Sequence, residues 1–326
     1  MMKHLPVLLL ISLSICTFGQ DVKLTLASDV WPPFTNTPDK KAVAVDLVTE
    51  ALRRTGIGVK NEIADFAVAL DGIKQGVYQG SAAVWKTAER ENYLHFSNPY
   101  LQNNLVLVGL KGANVSARKL SELIDKRVAV VGSYAYGPEL EEAKRVTFVK
   151  GENDQENLEK LFAGQVDYIL VDDLLIQYVV NYQQKEAARF LAIGNTPLFT
   201  RSLHFGIRKD VANADQIIQQ FNMEITKMIA DGTYNRILEL NWIQADVDGD
   251  GQLELVLAGD QAGLQAPTNS YHVYFENQPT ASTPSDRYYI NGQIYKDWES
   301  IPTEYKVANL RNENLDKVTF LKFSLN

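Results

Sequence analysis

Short apolar runs alternate with amphipathic stretches from residue 22 to about residue 241, and this alternation restricts the fold more than any other feature. Residues 23–27 alternate polar and apolar side chains, as a strand does, whereas residues 43–54 carry apolar side chains at helical spacing. The same contrast separates the apolar run 166–171 from the long amphipathic segment 214–230. Strands that alternate with helices predict an α/β fold with largely parallel sheets.

The C-terminal part of the chain has a different character. Residues 246–326 contain a glycine-aspartate loop, many tyrosines and short alternating runs such as residues 287–295. These features are typical of strands joined by turns. A chain of 326 residues is long enough for two or three domains. We therefore expect a separate small β-rich domain at residues 246–326.

The first nineteen residues are predicted to be a secretory signal peptide. Lys3 precedes a short apolar run at residues 5–16, small residues follow, and the run is too short to span a bilayer as a helix. Cys16, the single cysteine, lies inside this segment, and Ile15 stands where a lipid-attachment signal has a small residue. We therefore expect an exported, periplasmic protein that is not transmembrane and has no disulfide.

The charge of the chain bears on its partners. The formal net charge is −8, and no basic stretch stands out. Loss of the signal peptide would also remove Lys3 and make the net charge more negative. Nucleic acids and anionic membrane surfaces attract basic proteins, so this composition argues against both as partners.

Six short motifs follow one another along the α/β region. They are Ala27-Ser-Asp-Val-Trp-Pro-Pro-Phe34, Val45-Asp-Leu47, Thr87-Ala-Glu-Arg90, Phe96-Ser-Asn-Pro-Tyr100, Gly164-Gln-Val-Asp167 with Asp172 beyond it, and Asp231-Gly-Thr-Tyr234. Each motif alone is weak, but their joint order resembles that of solute-binding protein family 3, the polar amino-acid family of type II periplasmic binding proteins. The resemblance covers roughly residues 21–242.

This resemblance implies a two-lobed type II periplasmic binding protein fold, the Venus flytrap, at residues 20–242. A ligand would lie in the cleft between the lobes, and hinge closure would capture it. The implied boundaries are residues 21–104 and 208–242 for the first lobe, residues 111–199 for the second lobe, and residues 105–110 and 200–207 for the two crossings.

The resemblance also implies roles for single residues. Arg90 matches the arginine that binds the ligand α-carboxylate, and its planar guanidinium suits two parallel charged hydrogen bonds. Asp172 matches the carboxylate that receives the ligand ammonium group, with a helix N-cap as its alternative role. Together they would select a zwitterion, because an unpaired charge in a cleft is costly. The other expected ligand-binding residues are Asp29, Trp31, Phe34, Trp85, Thr87, Ser133 and Tyr134.

One position departs from the family pattern. Amino-acid binders of this family have a small hydroxyl residue five positions before the arginine, and here that position is Trp85, followed by Lys86. A tryptophan there would fill part of the pocket or stack on the ligand, and the lysine would add positive charge nearby. A small, acidic or aromatic ligand therefore remains an alternative to an amino acid. A pocket that no longer binds any transport ligand is a further alternative.

An Asp-x-Asp-x-Asp-Gly loop begins the C-terminal segment. Its oxygen atoms would suit Ca²⁺, which is the one metal that we expect; no cofactor is expected for function. A leucine at the twelfth position and a strand-like pattern after the loop argue against a helix-loop-helix calcium hand. The loop instead resembles the calcium loops of FG-GAP repeats. A metal-free Asp-Gly hairpin is the alternative. The expected ligands are Asp246, Asp248, Asp250, the backbone carbonyl of Gln252, and Glu254.

The function that we expect is solute binding by a monomer, for an ABC importer or for a sensor. We expect no enzyme, because the sequence shows no nucleophile constellation, histidine-based metal site or phosphate loop. The enzymatic alternative is an exported dehydratase of prephenate or arogenate type, with Asp29 or Asp172 as acid or base and with Lys86 and Arg90 holding carboxylates. A relative of the regulatory half of peptidoglycan lyases, or an envelope or adhesion protein with a vestigial cleft, are further alternatives.

Overall fold

The computed structural model describes residues 23–179, 187–194, 196–267, 271–272 and 286–307. The predicted signal peptide and Cys16 lie outside the described residues. In the described part of the chain, no helix combines the length and apolar character needed to cross a membrane.

The chain begins in the first lobe, where parallel strands carry helices on their faces. Helix α1 places Leu47, Ala51 and Leu52 on one buried face, because apolar residues recur there at helical spacing. Strand β1 pairs in parallel with both β2 and β3. The elements are β1 (Lys23–Ser28), α1 (Val43–Arg54), β2 (Gly58–Ile63), α2 (Phe66–Gln75), β3 (Gly80–Trp85) and β4 (Leu94–Phe96).

Strand β5 (Leu101–Leu110) then leads into the second lobe. Strands β6 and β8 of this lobe are mostly apolar and buried, and β6 pairs in parallel with β7 and β8. The elements are β6 (Arg127–Val131), α3 (Glu139–Glu142), β7 (Thr147–Gly151), α4 (Asp154–Phe162), β8 (Tyr168–Asp172), α5 (Asp173–Tyr178) and β9 (Leu191–Ile193).

Strand β10 (Phe199–Arg208) returns to the first lobe and pairs antiparallel with β5. Through these two strands the sheets of both lobes form one continuous sheet of order β2-β1-β3-β10-β5-β8-β6-β7. Helices α6 (Ala214–Ala230) and α7 (Thr233–Leu238) complete the first lobe. Phe221 and Tyr234 are fully buried there, each contributing about 1.5–3 kcal/mol of hydrophobic stabilisation. The predicted α/β class is confirmed.

A second, five-stranded sheet follows, of order β13-β11-β12-β14-β15. Its core contains Trp242, Leu257 and Ile290, and the side-chain amide of Asn235 in α7 donates to the Val256 carbonyl at 2.9 Å. The predicted small β-rich C-terminal unit is thus present. Its strands are β11 (Trp242–Ala245), β12 (Glu254–Leu257), β13 (Tyr271–His272), β14 (Tyr288–Ile290) and β15 (Gln293–Tyr295).

Candidate functional site

Five aromatic side chains from both lobes meet where the loops after β1, β2 and β6 approach the end of β3. We call Trp31, Phe66, Trp85, Tyr134 and Tyr136 the aromatic cluster. The Tyr134 ring, from the second lobe, lies 5.5 Å from the rings of Trp31 and Trp85 and 5.6 Å from that of Phe66, all from the first lobe. Such tilted and edge-on contacts are favourable. Tyr134 therefore fills the cleft where strand ends usually present a ligand site.

Little space remains inside this cluster. The cavity enclosed by the aromatic side chains and Arg90 has a volume of about 10 Å³, roughly the space that one water molecule needs. Trp85 lines this remaining space, where its ring was expected either to fill part of the pocket or to stack on a ligand. A ligand at this position must displace Tyr134.

Arg90 borders this small cavity and is 6% exposed. One guanidinium nitrogen, Nη1, donates to the Trp85 carbonyl at 2.8 Å, and the guanidinium carbon lies 5.4 Å from the centre of the Phe66 ring. Burial lowers the pKa of Arg90, and among the described residues no carboxylate forms an ion pair with it. The charge of Glu89 offsets the effect of burial on this pKa only in part. A buried guanidinium without an ion-pair partner is costly, so this site favours an anion.

Asp172 is buried and already has three hydrogen-bond donors. Its Oδ1 accepts the backbone N–H groups of Leu174 and Leu175, and its Oδ2 accepts the side-chain amide of Asn103 at 2.8 Å. Burial, and then the charge of Asp173, raise its pKa well above the usual range. The helix-cap role, which was the alternative from the sequence, is therefore what the structure shows. The ammonium-binding role stays a prediction.

The remaining predicted residues divide between packing and the cleft. Phe34 is fully buried against Trp31, with ring centres 4.7 Å apart. Thr87 accepts the Arg90 backbone N–H at its hydroxyl oxygen, which supports the turn. Lys86 points outward and pairs with Glu91 at 3.1 Å, so it adds no charge to the pocket. Asp29 and Ser133 line a larger, second cavity.

This second cavity has a volume of about 1200 Å³ and lies between the lobes beside the aromatic cluster. We call it the acidic cavity. Six carboxylates line it and none of its described lining residues is basic; the acids are Asp29, Asp65, Glu152, Asp154, Glu156 and Glu159.

Two of these acids lie deep in the cleft. Burial raises the pKa of Asp29 to about 6. Burial, with a further contribution from the Asp29 charge, raises the pKa of Asp154 to about 7. Tyr134 donates to Asp154 Oδ2 at 3.3 Å, so its hydroxyl faces a carboxylate.

Sequence reasoning missed Phe66, Tyr136 and Asp154. Phe66 and Asp154 could have been found, because they follow the parallel strands β2 and β7 closely. The carboxyl ends of parallel strands share one edge of a sheet, where ligand sites usually lie.

The Asp-rich loop between β11 and β12 has a defined geometry. Asp246 accepts the backbone N–H groups of Gly249 at 2.7 Å and Gly251 at 2.9 Å. One carboxylate oxygen from each of Asp246, Asp248 and Glu254 lies within 4.8 Å of the others. Glu254 is fully buried. This set of oxygens fits the chemistry of a Ca²⁺ ligand set.

Arg287 lies among the same carboxylates. Its Nη2 is 3.1 Å from both Asp248 Oδ2 and Glu254 Oε1, and its Nη1 is 2.7 Å from Asp250 Oδ2. Hydrogen bonding from Arg287 lowers the pKa of Asp250. The guanidinium thus supplies the positive charge that the loop requires. Sequence reasoning did not find this residue.

Comparison with known proteins gives a family match and one curated relative. The model of the bacterial extracellular solute-binding proteins, family 3, matches residues 24–245. A membrane-bound lytic murein transglycosylase F from Methylobacillus flagellatus is 23% identical over 213 residues, which are 62% of this chain and 43% of that enzyme. The chain thus spans less than half the length of this relative.

Solved structures of amino-acid-binding proteins share the fold. The GluR0 ligand-binding core from Nostoc punctiforme in complex with L-glutamate has a TM-score of 0.56 at 20% identity, covering 66% of this chain and 97% of that chain. An ancestral arginine-binding protein bound to arginine has a TM-score of 0.57 at 23% identity, covering 67% and 96%. The substrate-binding protein AbpA from Streptococcus pneumoniae bound to L-arginine has a TM-score of 0.57 at 19% identity, covering 67% and 93%. These likenesses confirm the two-lobed type II fold.

Proposed function

Because the chain belongs to the bacterial extracellular solute-binding proteins, family 3, we propose that it captures a small carboxylate-bearing solute, most simply an amino acid, between its two lobes. The observation that carries this proposal is the position of Arg90, a buried guanidinium beside the cleft without a carboxylate partner among the described residues. A ligand carboxylate would complete its hydrogen bonds.

Entry of the ligand would require the lobes to separate. Tyr134 fills the space beside Arg90, and it belongs to the second lobe, whereas its aromatic neighbours Trp31, Phe66 and Trp85 belong to the first. Rotation about β5 and β10 would withdraw the Tyr134 ring and expose the guanidinium. Ligand binding followed by hinge closure is then the expected cycle.

Neighbours in structure support an amino acid as the ligand class, since they were solved with glutamate and with arginine. We further propose export to the periplasm and a role as a monomer that delivers its ligand to an ABC permease or a sensor. No enzymatic role is proposed, although one relative is a transglycosylase.

The test is calorimetric titration of the purified full chain with the common amino acids and small carboxylic acids, repeated on Arg90→Ala. We expect saturable binding of at least one ligand, weakened about a hundredfold in the variant, which corresponds to losing a charged bidentate contact worth about 3 kcal/mol. Absence of any binding would instead support the alternative of a vestigial cleft, closed permanently by the aromatic cluster.

We also propose that the loop of Asp246, Asp248 and Glu254 binds Ca²⁺, with Asp250 and the Gln252 carbonyl as further ligands. Support comes from the spacing of the carboxylate oxygens within 4.8 Å and from the full burial of Glu254. Ca²⁺ would take the oxygens that Arg287 now contacts, so binding would require Arg287 to release them. Resemblance to FG-GAP loops stays a prediction.

A further inference from the structure

The acidic cavity holds more negative charge than its surroundings compensate. Of the six carboxylates that line it, Glu156 is paired with Lys160 at 2.5 Å. Within the described part of the chain, no ion pair reaches Asp29, Asp65 or Asp154. Arg90 does not neutralise this charge, because it borders the small aromatic cavity instead.

Asp29 and Asp154 approach the cavity from opposite lobes. Asp29 lies in the loop after β1, and Asp154 is the first residue of α4. They interact electrostatically, since the Asp29 charge contributes to the raised pKa of Asp154. Two like charges on opposite sides of a closed cleft oppose closure, and a cation between them would reverse that effect.

The walls of the cavity indicate what kind of cation it fits. Its second-lobe side combines four of the six acids with an aliphatic patch that includes Val171, Leu175 and Ile176, all buried. Among the described residues, only the C-terminal loop brings three metal-ligating side chains within 4.8 Å of one another, so the cavity acids do not form such a cluster. An organic cation with a methylene stem matches both the charge and the apolar wall.

We infer that the acidic cavity binds a protonated amine or a guanidinium on an aliphatic stem, held between Asp29 of the first lobe and Asp154 of the second. This inference rests on the proposed function and specifies its ligand: a carboxylate at Arg90 and a cationic end in the acidic cavity. Closure of the cleft then depends on the cation, because the cation replaces repulsion between the lobes with two favourable contacts.

The test compares ligands that differ in charge but scarcely in shape. Calorimetric titration of the full chain with L-arginine and with its uncharged isostere L-citrulline should show arginine binding at least about tenfold tighter, the ratio that 1.4 kcal/mol produces. L-lysine should follow arginine, and L-glutamate should bind more weakly than citrulline.

Variants assign the effect to the cavity. Asp154→Asn should reduce the arginine-to-citrulline ratio about tenfold, and Asp29→Asn should act in the same direction. Glu159→Gln removes the same charge from an exposed position on the cavity rim and should change the ratio less than about twofold.

The outcomes separate this inference from the function on which it rests. If citrulline or glutamate binds best, or if both aspartate variants keep the ratio of the unmodified chain, the cation inference is overturned while solute binding stands. If no ligand in the panel or in the wider amino-acid screen binds, the proposed function itself is overturned, and the cation inference with it.

Discussion

The indole nitrogen of Trp85 donates a hydrogen bond of 2.7 Å to Oδ1 of Asn103, and this contact joins the aromatic cluster to strand β5. The Asn103 amide in turn donates to Asp172 at 2.8 Å, while the Trp85 carbonyl accepts from Arg90 at 2.8 Å. Trp85 therefore connects the two charged residues that the resemblance assigns to a zwitterion. A ligand must compete with these internal contacts.

Removing the ring that fills the cleft should make the carboxylate site accessible. We expect Tyr134→Ala to tighten binding of the preferred ligand about tenfold, because the ligand no longer has to displace the ring. The loss of ring contacts should also lower the free energy of unfolding by about 2–3 kcal/mol. Calorimetry and urea denaturation measure the two effects. Tyr134→Phe is the matched control, and affinity that is equal in both variants would contradict a blocking role.

Arg90 should contribute to binding at a cost in stability. We expect Arg90→Met, which keeps the aliphatic stem, to weaken binding about a hundredfold while leaving the free energy of unfolding unchanged or higher by about 1 kcal/mol, because a buried charge without an ion-pair partner is removed. Chemical denaturation with calorimetry on the same preparation provides both values. A variant destabilised by several kcal/mol would show that Arg90 is chiefly a structural residue.

Asp154 should make the stability of the protein depend on pH in the opposite sense to an ordinary aspartate. Its pKa is about 7 in the folded protein and 3.8 in model peptides. Between these values the folded state keeps a proton that the unfolded state has lost, so the contribution to stability is complete below pH 4 and is lost as the pH rises towards 7. The groups that face Asp154 are Asp29, Tyr134 and Tyr136.

The expected result is a difference between two melting curves measured over this pH range. Asp154→Asn should melt at nearly the same temperature as the unmodified chain at pH 4 and several degrees higher at pH 8, because the variant has no carboxylate to ionise. Glu159→Gln serves as the exposed control. A difference that does not change between pH 4 and pH 8 would contradict the raised pKa.

More of the fold than of the candidate site could be predicted from the sequence. Alternating strand and helix patterns and the order of six motifs depend on local sequence, and both the α/β class and the family are confirmed. The sequence also drew attention to Trp85, because a large ring replaces a small hydroxyl residue at the end of a buried strand. Lys86 was expected to add positive charge near the pocket, but in the structure it pairs with Glu91 outside it.

Contacts between distant segments could not be predicted. Tyr134 was expected to contact a ligand, and in the structure its hydroxyl donates to Asp154 of α4. The pairing depends on how the loop after β6 packs against α4, which no local pattern encodes. Arg287 escaped notice for a similar reason, because only the parallel pairing of β12 with β14 brings it beside Glu254.

That pairing leads to a prediction for the C-terminal loop. Arg287 and a bound Ca²⁺ would use the same oxygens of Asp248 and Glu254, so they should compete. We expect Arg287→Gln to increase Ca²⁺ affinity at least about tenfold in calorimetry, because the metal no longer has to displace a guanidinium. Without Ca²⁺ the variant should lose about 1–3 kcal/mol of stability, since the buried Glu254 carboxylate loses its ion-pair partner.

One experiment can report both the change in Ca²⁺ affinity and the change in stability. Melting temperatures recorded with EDTA and with 1 mM Ca²⁺ should show a rise for the unmodified chain and a rise several degrees larger for Arg287→Gln, because a ligand that binds only the folded state stabilises it by mass action (about 4 kcal/mol at a thousandfold excess over Kd). Arg287→Lys keeps the positive charge but not the planar guanidinium with its paired N–H donors. It should give an intermediate rise in melting temperature. If added Ca²⁺ fails to raise the melting temperature of Arg287→Gln, the loop is a metal-free turn whose carboxylates serve to hold Arg287.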